Sequence, residues 1–348
     1  MRREVVEQGT ISFARFMEMA LYAPGLGYYE RESAQTGREG DFYTSVSVGP
    51  EMGFLLAAWL AGVFAGGEGF QWIEAGAHDG RLASDILSAL DAFFPETARR
   101  LRYRILEPSE ARRSVQGRGL SSWGDRITWC RNWDEIGIGV RGVVFSNELL
   151  DAMPVHRLAW DARDRRWREC GVTWCEGRWE WSLREPAWNL LPSELDPLAD
   201  VLPDGFIFET SPAAMNWWQH AARAVGEGWL VAFDYGFGEE DAVRPERVHG
   251  TARAYCRHRV SDDLLARPGE QDLTAHVDFS RIIREGERNG LRTEAFLPQG
   301  RWLGRVATSV MAGGGRAAEW LTDHARGLMT LTHPAHLGHA MRVLVQRR

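Results

Sequence analysis

The chain has no lysine: all 41 of its basic residues are arginine. A Schiff-base lysine and the lysine of a phosphate-binding loop are therefore excluded. Cysteine is scarce. Cys130, Cys170, Cys175 and Cys256 form no Cys-x-x-Cys pair, so reduced thiols of a cytosolic protein are expected rather than a disulfide or zinc site. No run of about 20 apolar residues occurs, and no apolar secretory core follows Met1-Arg2-Arg3-Glu4. That reads as a soluble, cytoplasmic chain without membrane insertion. Positive charge is in deficit as well. A net charge of −7 leaves no electrostatic footprint for nucleic acid. The turn between Gly76 and Gly80 lacks Gly-x-Gly-x-x-Gly, the dinucleotide-binding spacing, which argues against an NAD-dependent oxidoreductase.

What the chain does have is 348 residues, 44% hydrophobic and 26% charged, with 16 Trp. That is enough for a sizeable core and about two domains, or one with a large insertion. Its most informative stretch runs from Phe70 to Leu82. An apolar run ends in Glu74, and Gly76 and Gly80 bracket a turn. Leu82, Ile86, Leu87 and Leu90 then recur at helical spacing, with Asp85 and Ser88 off the stripe. Strand, tight turn and helix open a βαβ unit, whose ligand crevice lies at the strands' carboxyl ends. Glu-x-Gly-x-x-x-Gly suits an adenosyl ligand; a turn that binds nothing is the other reading.

The remaining elements follow in order. Ile11 to Tyr22 reads as an amphipathic helix capped by Thr10 or Ser12. Residues 31 to 40 read as a mobile loop, and Gly40-Asp41-Phe42-Tyr43-Thr44-Ser45 as a pocket wall, a lid or a plain turn. Residues 51 to 65 form an apolar helix. Leu101 to Leu106 is a second strand ending in Glu107, an acid placed to accept ribose hydroxyls or simply to start a helix. A short strand near Ile127–Trp129 follows. Gly142 to Ser146 is a buried strand ending in Asn147-Glu148-Leu149-Leu150-Asp151, either a catalytic polar group or a capping cluster. Val155 to Trp181 alternates apolar and polar residues, with Gly171 and Gly177 as turns, and reads as an inserted antiparallel meander. Phe206–Phe208 and Gly228–Phe233 are strands, the latter running into Asp234, a further acid at the same sheet edge. Arg244 to Arg267 reads as loop. A helix from Phe279 ends near Asn289, and Thr293–Leu297 and His339–Gln346 fit a closing strand pair. His333, His336 and His339 are spaced by three, but Pro334 lies within the run and a fourth ligand is lacking, so no metal is expected.

Several segments together resemble the MidA-type SAM-dependent methyltransferases, whose mitochondrial members are complex I assembly factors that methylate a protein arginine. They are Leu21-Tyr22-x-Pro24-x-x-Gly27-Tyr28-Tyr29, Gly40-Asp41-Phe42-x-Thr44-Ser45, Glu74-x-Gly76-x-x-x-Gly80 and Asn147 to Val155. Asp234-Tyr235-Gly236, Gly250-Thr251-x-Arg253-x-Tyr255-x-x-His258 and Pro268-Gly269-x-x-Asp272-Leu273-Thr274-x-His276-Val277-Asp278-Phe279 complete the series. The resemblance covers nearly the whole chain. It implies an α/β, Rossmann-like class I methyltransferase sheet with an N-terminal helical lid region and the inserted meander. The expected segments are 1–60 (helical lid), 61–154 (first half of the SAM-binding domain), 155–203 (β-rich insertion) and 204–348 (second half, with helical additions). S-adenosyl-L-methionine is the implied cofactor, held by Glu74, Gly76, Gly80 and Glu107, with His78, Asn147 and Thr44 as further candidates. One residue departs from the family: His78 stands where glycine is usual, and histidine accepts positive φ better than most residues.

For the chemistry, Glu148 and Asp151 are expected to grip a guanidinium, with Asp41 and His276 as lid or proton-accepting partners. The implied acceptor is an arginine of a protein substrate, by analogy a respiratory-complex subunit. The alternative is a weakly SAM-binding assembly chaperone of the same fold, which His78 favours.

Overall fold

The computed structural model describes the chain except residues 32–44, 192, 242–243, 245–246 and 257–258. The expectations for the loop up to residue 40, for Asp41 and Thr44 and for His258 lie outside the described residues. Two compact units emerge, each discontinuous in sequence. One comprises Met1–Ala34, Asp151–Asn216 and Phe237–Ser280; the other comprises Gln35–Leu150, Trp217–Gly236 and Arg281–Arg348. A border between the units falls at Leu150/Asp151, close to the expected 154, whereas none falls at 60 or 203. Composition changes mark local sequence, whereas a compact unit is defined by which segments bury one another's surface.

The second unit carries the parallel sheet. Its strands are β1 (Phe70–Ala75), β2 (Leu101–Leu106), β3 (Ile127–Cys130), β4 (Val140–Asn147), β5 (Val225–Phe237), β6 (Arg292–Pro298) and β7 (Met341–Arg347). They lie side by side in the order 3-2-1-4-5-7-6. Strands β1 to β5 pair in parallel, and β7 runs antiparallel between β5 and β6. The order reverses between β1 and β4, the switch point at which such sheets open a crevice. Val143, Val144 and Phe145 of β4 and Leu230 to Phe233 of β5 are fully buried, which is why these strands read as unbroken apolar runs. Helices α1 (Glu51–Val63) and α2 (Arg81–Phe93) cover one face, α2 burying Leu82, Ala83, Ile86, Leu87 and Leu90. Helices α3 (Glu110–Gly119) and α4 (Gln299–Gly313) belong to the same unit. Register sets Ala75 beside Leu106 and Ser146, and Asn147 beside Phe233. The next residues, Gly76, Glu107 and Glu148, therefore leave the sheet at one rim, and Asp234 lies at the same rim while β5 stays paired with β7 through Arg342.

The first unit contains an antiparallel sheet of Ile11–Ser12, His156–Asp161, Arg166–Cys175, Arg178–Arg184 and Ile207–Thr210. Gly177 lies in the turn between the third and fourth of these, but Gly171 does not turn the chain. It pairs with Ser12 and Ser182 inside the ladders, and a Cβ there would lie 2.4 Å from Thr10 Cγ2. Glycine at 171 thus permits a close strand approach. The expected helix at Ile11 begins at Phe13, because Ile11 and Ser12 are drawn into that pairing; Ser12, not Thr10, is the cap, accepting from Arg15 N at 3.1 Å. The stretch read as loop holds Arg253–Cys256 and Arg259–Ser261, which pair with one another, and the first also pairs with Asp272–Thr274. His339 lies in a helical turn, and the closing strand starts at Met341. No helix among the described residues is long and apolar enough to cross a membrane.

Candidate active site

The turn after β1 is built from left-handed residues: Gly76 at φ 73°, His78 at φ 47° and Gly80 at φ 86°. His78 therefore occupies the conformation its position demands, and the turn keeps its shape without a third glycine. Gly80 N donates to Ala77 O at 2.7 Å, and Arg81 N to Asp79 Oδ1 at 3.0 Å, as the chain enters α2. A Cβ at Gly80 would stand 2.7 Å from Leu120 Cδ1, and one at Gly76 3.0 Å from Leu149 Cδ1. Glycine is required here by conformation and by close packing alike.

Glu107, at the tip of β2, is buried. Its Oε1 accepts from Ser109 N at 3.0 Å and its Oε2 from Gln116 Nε2 at 3.1 Å. Gln116, fully buried on α3, also donates to the carbonyl of His78 at 3.1 Å and accepts from Trp129 Nε1 at 3.0 Å. One side chain thus braces the acid at the end of β2 against the turn at the end of β1. Sequence reasoning missed Gln116 because a glutamine in a polar helix reads as surface. Asp85 was likewise placed off the apolar stripe, yet its side chain is only 20% exposed and its Oδ2 is buried with no hydrogen-bond partner among the described residues. Burial pushes its pKa up to about 6, against the pull of Arg81. Glu51, at the start of α1, is buried too; a Cβ at Gly327 would meet its Oε1, so only glycine admits the carboxylate.

Glu74 lies inside β1, one pair before the rim, and accepts from the Tyr103 hydroxyl. Burial raises its pKa to about 7, and that hydrogen bond opposes the rise. At the end of β4, Glu148 has φ 50°, a strained conformation for this residue type. Its Oε1 accepts from Ser45 N at 3.1 Å and from Asn147 Nδ2 at 3.2 Å. Buried Asp234, beside it, spends its carboxylate on the backbone: Oδ2 accepts from Leu149 N and Leu150 N, and Oδ1 from Tyr235 N. Asp234 is thus the clamp that holds the turn carrying Glu148. Asn147 Oδ1 and Ser146 Oγ are buried without a hydrogen-bond partner among the described residues.

Asp151 and His276 belong to the other unit, where Ala275, the residue before His276, donates its N–H to Asp151 O at 2.9 Å. Buried Asp151 shares that region with Tyr29, whose hydroxyl donates to Asp272 Oδ1 at 2.9 Å; burial first, then Asp272, drives the phenol's pKa well up. His276 N donates to Thr251 Oγ1, and Thr251 is in turn held by Glu209. Desolvation of the ring, then Arg247, lowers the His276 pKa, so the imidazole is neutral at pH 7. The residue remains exposed overall, which screens the arginine's part of that effect.

The chemistry of this rim fits an adenosyl sulfonium. The glycine turn lets backbone approach the ligand. Glu107 offers a fixed carboxylate whose oxygens each accept more than one hydrogen bond. Asn147 Oδ1 is a buried acceptor awaiting a donor. A doubly wound sheet with these groups at its switch point is that of a SAM-dependent methyltransferase. The family described as "Putative S-adenosyl-L-methionine-dependent methyltransferase" matches residues 55–297; the chain belongs to it, within the MidA type that its motifs resemble, and SAM is its cofactor. The chain is similar to the protein arginine methyltransferase NDUFAF7 homolog, mitochondrial, of Drosophila melanogaster, 28% identical over 99% of this chain and 83% of the relative. It is also similar to the Homo sapiens protein arginine methyltransferase NDUFAF7, mitochondrial, 27% identical over 81% of this chain and 66% of the relative. A solved COG1565 superfamily structure from Burkholderia thailandensis, bound to S-adenosyl-homocysteine, covers 100% of this chain and 90% of its own, with TM-score 0.85 and 30% identity.

Proposed function

We propose that this methyltransferase modifies a side chain of a protein substrate, and that the acceptor is an arginine guanidinium. The observation that carries the reading is Glu148: a carboxylate in left-handed backbone at the end of β4, aimed by Ser45 N and Asn147 Nδ2. Such a group grips a cation through charge-assisted hydrogen bonds and concentrates positive charge away from the attacking nitrogen. SAM, when bound, supplies a methyl already activated on a sulfonium. The protein's part is to hold the nucleophile in line and to take up its proton. Asp151 and the neutral His276 remain sequence-based candidates for proton uptake. The names of the relatives support the arginine specificity.

The chaperone alternative drew its support from His78, and that residue sits in the conformation the turn requires. We place the protein in a reducing compartment such as the cytoplasm, since all four cysteines are free. Glu148→Gln removes the charge and keeps the shape. Labelled SAM and a lysate, followed by mass spectrometry, should show methyl transfer to an arginine falling about a hundredfold or more in the variant. Calorimetry should show SAM affinity within about threefold of wild type. Undiminished transfer would remove Glu148 from the reaction, and label on another residue type would remove the arginine assignment.

A further inference from the structure

At the edge of the sheet opposite the cofactor rim, the same unit holds a cavity of about 1010 Å³. It opens beside Trp229, near the start of β5, and Arg347, at the end of the antiparallel β7. Its size matches the upper range of small-molecule sites. Three indoles form its wall: Trp59 stands edge-on to both Trp229 and Trp302. The floor is α1, which is apolar all round, and such a helix is ordinarily covered on every side. Here the face carrying Gly62 is not covered: a Cβ built at Gly62 meets no atom within 4 Å.

The cavity is also positively charged. Arg347 is paired with Glu294 at 3.5 Å and stacks over Trp229. Arg305 and Arg316 have no carboxylate partner among the described residues; the guanidinium of Arg316 lies only near the Phe93 ring, at 5.8 Å. An uncovered apolar floor, an aromatic wall and two guanidinium groups without counter-ions complement one kind of molecule. We propose that this cavity binds a small amphiphilic monoanion, an apolar or aromatic body bearing one carboxylate or sulfonate. The arginines meet the anion and the indoles meet the body. The site is independent of methyl transfer.

The test uses the full chain and the fluorescent sulfonate 1-anilinonaphthalene-8-sulfonate, with oleate and 2-naphthoate as competitors. Wild type should bind the dye saturably at one site, and whichever competitor displaces it distinguishes a chain-like from an aromatic body. Gly62→Leu projects a side chain into the open space where a Cβ meets no atom within 4 Å, and replaces glycine inside a helix. It should weaken dye binding at least about tenfold with no fall in melting temperature. Arg305→Gln combined with Arg316→Gln should weaken the sulfonate by a similar factor and leave the neutral dye N-phenyl-1-naphthylamine unaffected. Dye binding unchanged in both variants would overturn the proposal. So would sedimentation showing a dimer that Gly62→Leu dissociates, since a second copy would then be the occupant.

Discussion

A carboxylate buried without a cation is destabilised in its charged form, and Glu74 is such a group. Its pKa in the folded protein is about 7, above the ordinary 4.5. Below pH 4.5 it is protonated in both states and costs nothing. Between 4.5 and 7 the unfolded chain releases the proton first, so folding stability falls as pH rises, by at most about 3 kcal/mol from this residue, and is flat above. Asp85 contributes with the same sign. Glu74→Gln removes one of these terms. Denaturant unfolding at pH 5 and pH 8 should therefore show a smaller loss for the variant than for wild type; equal losses would mean that folding does not raise the Glu74 pKa. At this scale the sequence was legible where a residue acts through its own backbone, as Gly76 and Gly80 do. It was opaque where a polar residue acts by being buried. Gln116, Glu51 and Asp85 sit at helical positions whose identity does not reveal what lies against them.

The turn from β1 into α2 is the element on which the site depends. Gly80 combines left-handed backbone with a neighbour, Leu120, that leaves no space for a Cβ. Gly80→Ala should lower stability by about 2–3 kcal/mol, the sum of conformational strain and overpacking. Thermal unfolding reads this directly, and a loss under about 0.5 kcal/mol would show that the turn relaxes freely. Most strands could be placed from sequence because buried parallel strands are continuous apolar runs; β2 falls on the expected residues. Gly171 misled because a glycine that admits a neighbouring strand looks like one that turns the chain. Ile11 and Ser12 misled because pairing with Arg166–Cys175 overrides a local helical pattern.

For the whole molecule, the strand order 3-2-1-4-5-7-6 gathers groups from distant parts of the sequence at one rim. Glu107 and His78 are 29 residues apart, yet both bond to Gln116. No local pattern reports such a brace. The resemblance did locate the rim, because its motifs mark the same strand ends; it could not reveal the division into two discontinuous units, which depends on long-range burial. The measurement that bears most directly on the rim as the cofactor's seat is calorimetric titration of S-adenosyl-homocysteine into wild type and Glu107→Ala. Wild type should bind one equivalent, and the variant should bind at least about tenfold more weakly, about 1.4 kcal/mol, while its unfolding transition stays cooperative. Equal affinity in the two proteins, or no binding by wild type, would contradict a cofactor site at the carboxyl ends of β1 and β2.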